Sequence, residues 1–183
     1  MSDDLVVRYA SPTLAGLKTA NMFTCPCPSR KALLGDVAEV NKTLVPKGLR
    51  LIPLKFNKGR VLLYLYRPKF LERDLKNEEA VQILKEAGYR DGNIPNCLKQ
   101  IIQKLNNSEE FPHEIGLFLG YPAEDVRGFM SHKNEGCKCI GTWRVYGNEE
   151  EAKRKFASYR KCTSVYCRYW EGGATIGGLA VSV

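Results

Sequence analysis

Residues 49–66 read Leu49-Arg50-Leu51-Ile52-Pro53-Leu54-Lys55-Phe56-Asn57-Lys58-Gly59-Arg60-Val61-Leu62-Leu63-Tyr64-Leu65-Tyr66. Two aliphatic and aromatic runs, 49–56 and 60–66, flank Asn57-Lys58-Gly59. A three-residue loop ending in glycine is a common connection between antiparallel strands. Pro53 cannot donate to a ladder, which makes the first run an edge strand or a bulged one. Val61 to Tyr66 is apolar on both faces and reads as a central strand covered on both sides. The stretch therefore predicts a small antiparallel sheet built around a hairpin.

The flanks supply helices to cover it. Ser29 can cap a helix over 30–44 with Leu33, Val37 and Val40 on one face, ended by Pro46 and Gly48. Further upstream, Ser11-Pro12 reads as an N-cap followed by a first-turn proline. That predicts a helix from Ser11 to about Met22, broken by Cys25-Pro26-Cys27-Pro28. Downstream, Asn77 caps a helix ended by Gly88, and Asn93 caps one over 95–105. Residues 111–122 open a short apolar helix, and Pro122 starts another with Val126, Phe129 and Met130 inward. Residues 140–146 read as a strand. Asn148 caps a long helix to about Val165, with acid-first pairs at i,i+4. From Gly172 the tail reads as a terminal strand or a mobile end. The pattern is α+β: a single domain over 1–183, a small mainly antiparallel sheet with a central hairpin, and helices packed against it.

The chain has 183 residues, 44% of them hydrophobic, enough for one core. No apolar run reaches the roughly 18–20 residues that span a bilayer. Met1-Ser2-Asp3-Asp4 is acidic and precedes no apolar stretch, so a cytoplasmic protein without a membrane anchor is expected. Seven cysteines in that setting read as reduced thiols. Cys25-Pro26-Cys27 and Cys137-Lys138-Cys139 do not match the usual spacing of zinc ligands, so no metal is assigned. The net charge of +8 suits a polyanion partner or plain solubility.

Two places carry candidate chemistry. At a helix start, Ser11, Thr13, Gly16 and Lys18 would offer free N–H groups, hydroxyls, room for close approach and a cation to a small anion. Leu17 between Gly16 and Lys18 excludes a P-loop. The plainer alternative is a capped helix with glycine at a packing contact. Second, His113-Glu114 sets an imidazole beside a carboxylate, a candidate acid/base pair. Neighbours on a helix point about 100° apart, so the plainer alternative is a helix-start histidine with a dipole-compensating acid. Residues 114–133 also have the outline of a helix-turn-helix, but Glu124 and Asp125 would confront phosphates. The aromatics Trp143, Tyr146, Tyr159, Tyr166, Tyr169 and Trp170 read as core.

Three segments, 111–122 (Phe-Pro-His-Glu-Ile-Gly-Leu-Phe-Leu-Gly-Tyr-Pro), 11–18 (Ser-Pro-Thr-Leu-Ala-Gly-Leu-Lys) and 141–146 (Gly-Thr-Trp-Arg-Val-Tyr), carry a resemblance. The chain resembles a bacterial family known as domain of unknown function 3793. The resemblance implies one fold across the whole chain and no established activity. It also links 11–18 with 111–122. The expected function is binding of a small anionic ligand or cofactor of unspecified identity, with His113 as acid or base, Glu114 as its support and Lys18 as the anchor. The alternative is a basic module for nucleic acid or an acidic protein partner.

Overall fold

The computed structural model describes residues 2–90, 93–108, 110–133 and 135–183. Three strands, β1 (Ala20–Pro26), β2 (Arg50–Asn57) and β3 (Arg60–Tyr66), form an antiparallel sheet in the order β1-β3-β2. The hairpin and its central second strand form as the sequence predicts. The register of β2 on β3 shifts between Pro53 and Lys55, so the proline sits at an irregularity on an edge strand. The other exposed ladder of β2 is met by Asn41, whose side chain accepts from the Leu51 N–H (2.9 Å) and donates to the Leu51 carbonyl (2.8 Å).

The chain divides into two compact units, residues 1–69 with 159–183, and residues 70–158. In the first, α1 (Asp3–Leu14) and α2 (Arg30–Leu44) pack on the sheet. Val6, Val7, Ala10, Leu14, Leu33, Val37 and Leu44 meet Phe23, Leu51, Val61, Leu63 and Leu65 in one apolar cluster. A single 3-10 turn, Val45–Lys47, ends α2.

The second unit holds most of α3 (Pro68–Leu75), then α4 (Glu78–Glu86), α5 (Ile94–Asn107), α6 (Ile115–Phe118), α7 (Ala123–His132), β4 (Cys139–Ile140) and β5 (Arg144–Val145). It ends within α8 (Glu149–Glu171), which Asn148 caps through the Glu151 N–H (3.0 Å). The last element, α9 (Ile176–Leu179), belongs to the first unit. Among the described residues no helix is long and apolar enough to cross a membrane.

Four expectations differ. The predicted helix over 11–22 is the end of α1 followed by β1. Pro12 lacks the N–H that would bond back along the helix, and the chain kinks at Ala10 (φ −132°, ψ 16°) rather than starting there. Residues 111–122 hold only the four-residue α6, with His113 and Glu114 in the turn before it. The strand over 140–146 is two short paired strands with a turn between them. The tail forms α9, with Ile176, Leu179 and Ala180 in the first unit's apolar cluster.

Candidate functional site

The segment 11–18 is a helix C-terminus. Leu17 N–H donates to the Pro12 carbonyl (2.9 Å) and Gly16 N–H to that of Thr13 (3.2 Å), with Gly16 at φ +73°. This is the paired bonding of a Schellman motif, in which a left-handed glycine closes the helix. A helix end of this kind presents carbonyl oxygens and the negative end of the dipole, so it draws cations. The cation present is Arg67, 1% exposed. Its Nε donates to Thr13 O (2.8 Å), and its Nη2 donates to Leu14 O and Val181 O (2.8 Å each). Burial lowers the guanidinium pKa from its usual value.

The other groups singled out there are used locally. The Ser11 hydroxyl donates to Val7 O, and the Thr13 hydroxyl to Asn21 Oδ1 (2.7 Å). Lys18, 4% exposed, donates its ammonium to Ala20 O. A Cβ on Gly16 would stand 3.0 Å from Val183 Cγ2, so its space is filled by protein. The free N–H groups on which the anion expectation rested lie at the other end of α1, which Ser2 caps. Arg67 escaped the sequence reading because Tyr66-Arg67-Pro68 looks like the exit of a strand.

His113 and Glu114 lie in the second unit. Glu114, 4% exposed, accepts from Lys104 Nζ (2.6 Å) and the Tyr89 hydroxyl (3.2 Å). Lys104 also donates to Ala87 O (2.6 Å). Burial first, and the Glu114 charge second, push the Tyr89 phenol pKa up. Glu114 thus ties α5 to the turn before α6. The His113 ring meets Phe129 edge-on at 5.0 Å.

In the sequence Asp125 is an acid that would confront DNA phosphates. It is instead the anchor of the 141–147 turn. Only 3% exposed, it accepts from Trp143 Nε1 (2.6 Å), Tyr146 N–H (2.7 Å) and Gly147 N–H (2.8 Å). Trp143 stacks on Tyr121 (5.0 Å) and meets Phe156 edge-on (4.6 Å). Gly128 leaves α7 bare where the Tyr146 ring lies against it; a Cβ there would overlap that ring.

A cavity of about 270 Å³ opens beside Gly120, Tyr121 and Pro122. Arg73 and Asp74 line it, paired at 2.8 Å, as do Lys155 and Glu151, paired at 2.7 Å. The start of α7 also faces it, and no side chain caps that helix. Among the described residues no group of three or more His, Cys, Asp or Glu is placed to hold a metal. Burial pushes the Cys162 thiol up to about 11, far from the thiolate range.

The charge is distributed unevenly. The first unit carries fifteen Lys and Arg against five Asp and Glu, a net of +10; the second carries thirteen against fifteen, a net of −2. Residues 40–71 hold eight cations and no acid. This run is visible in the sequence without the fold.

Part of this charge gathers at the turn end of the hairpin. Arg30 and Lys31 are exposed at the start of α2, and Lys58 and Arg60 at the β2–β3 turn. Cys27 N–H donates to Gly59 O (2.7 Å), which holds the entry to α2 beside the turn. The Arg30 guanidinium lies over the Phe56 ring (4.2 Å), and Arg60 Nη2 donates to Thr24 Oγ1 (2.9 Å).

The family model described as "Protein of unknown function (DUF3793)" matches residues 6–180. No curated protein and no solved structure matches the chain.

Proposed function

We propose that this chain, which belongs to the DUF3793 family, is a basic binding module whose first unit holds nucleic acid. One observation carries the reading: the whole excess of positive charge lies in the first unit, which has a net of +10. Without the buried Arg67 and Lys18, thirteen cations stand against five acids there, and a polyanion binds such a surface by releasing its own counterions. The reading places the protein in a bacterial cytoplasm, where that partner is abundant. It assigns no catalytic step. The test is fluorescence anisotropy of a mixed pool of labelled DNA and RNA oligonucleotides against salt. With about four phosphate contacts, affinity is expected to fall about 100-fold between about 50 and 200 mM salt. Binding that ignores salt, or no binding at low salt, contradicts it.

The cavity beside Tyr121 favours a second reading, a small anionic ligand held in the second unit. Arg73, Lys155 and the uncapped start of α7 are its available positive groups. Such a ligand must displace Asp74 and Glu151 from their present partners. Thermal shift measurements with phosphate and small carboxylates test it. A rise in Tm that saturates, and is lost in Arg73→Ala, supports the cavity. A rise equal in both chains contradicts it.

A further inference from the structure

We infer that the partner is a duplex, gripped through its phosphates by the hairpin end of the first unit without stacking on or reading its bases; this rests on the nucleic-acid reading above. Proteins that hold single strands pair cations with open aromatic faces on which bases stack. The hairpin end has the cations and lacks the faces. Tyr64 and Tyr66, the rings at the centre of the sheet, are 1% and 5% exposed and stack on each other at 5.0 Å. Phe23 is buried, and the ring of Phe56 lies under Arg30. The exposed tyrosines of this unit, Tyr9 and Tyr169, sit on α1 and α8, not at the hairpin.

What remains at the hairpin end is a set of point charges: Arg30, Lys31, Lys58 and Arg60. Two of them are already committed in orientation. Arg30 is laid on a ring and Arg60 is tied to Thr24, so neither guanidinium is set to fork freely onto a base edge. Charges that meet only phosphates gain most from the partner with the densest phosphate ladder. A duplex carries one charge per about 1.7 Å of axis, twice that of either strand. Glu39 pairs with Lys42 one turn along (2.6 Å), and Asp36 is half-buried.

Fluorescence anisotropy on the full chain tests this with two unrelated DNA duplexes of about 20 base pairs, one RNA duplex and an oligo(dT) of equal length. The two DNA duplexes are expected to bind within about threefold of each other, and oligo(dT) at least about tenfold more weakly. The slope of log affinity against log salt is expected to be about −4. The RNA duplex reports whether the ladder must be B-form. Affinity within about tenfold of the DNA duplexes shows that phosphates alone suffice, and a larger gap in either direction means that groove shape is read and overturns the phosphate-only grip. Lys58→Ala/Arg60→Ala should reduce the slope by about 2 with Tm unchanged, and Arg30→Ala/Lys31→Ala should do the same. Oligo(dT) binding as tightly as duplex, a preference of more than about tenfold between the DNA sequences, or an unchanged slope in both variants overturns this inference. Each of those leaves the broader reading standing. No binding of any of the four probes overturns both.

Discussion

Arg67→Ala is expected to destabilise the chain by about 3–5 kcal/mol, because it removes several bonds from a charged donor, each contributing about 1.5–3 kcal/mol, together with a buried long side chain. The guanidinium is the joint of the first unit. It closes the end of α1 through Thr13 and Leu14 and holds the tail through Val181. Truncation removes the charged donor from all three carbonyls; Thr13 O keeps the Gly16 N–H and Leu14 O keeps the Val181 N–H, so the loss is of the guanidinium's own bonds. It also leaves a void the size of a long side chain. Arg67→Lys should recover only part, because one ammonium cannot span the carbonyls of the α1 end and of the tail as the planar fork does. Urea unfolding followed by circular dichroism measures both. A change below about 1 kcal/mol for Arg67→Ala would show that the tail and α1 hold together without it.

The second large effect is expected at Asp125. Its carboxylate takes three donors from the 143–147 segment, two of them backbone N–H groups. Asp125→Ala should cost about 3–4 kcal/mol: bonds to a charged acceptor contribute about 1.5–3 each, but only the Trp143 donor is fully buried, and the part-buried Tyr146 and Gly147 N–H groups can turn to water. Asp125→Asn keeps one acceptor oxygen but turns an NH₂ toward N–H groups, and should lie between the two. Near-ultraviolet circular dichroism gives an independent readout. The Trp143 indole is clamped between Tyr121, Phe156 and this carboxylate, so its signal should collapse in Asp125→Ala. An unaltered Trp143 spectrum would show that the aromatic stack alone fixes the turn.

The hairpin was legible because its signals are local: two apolar runs, a glycine turn, and a proline that can only sit at an irregularity. Residues 11–18 misled because Ser-Pro marks a helix start and also the restart after a kink; only the Val6, Val7, Ala10, Leu14 stripe would have extended α1 backwards. Glu114 is one of the conspicuous acids of the sequence, yet its partner Lys104 is ten residues away across a loop, a pairing no spacing rule announces. The +10 to −2 division was hidden because the first unit is discontinuous. Counting charge along the chain blends 159–183 with its neighbours, and only the fold sorts the residues into units. The acid-free run 40–71 was the part of that signal that needed no fold.

The most direct test of the nucleic-acid reading is a map of backbone amide shifts in the ¹⁵N-labelled full chain, on adding a short duplex at low salt. The account predicts shifts at Arg30, Lys31, Lys58, Gly59 and Arg60 that fade as salt is raised. Shifts centred on Arg73, Tyr121 and Lys155, or none in residues 1–69, would contradict it.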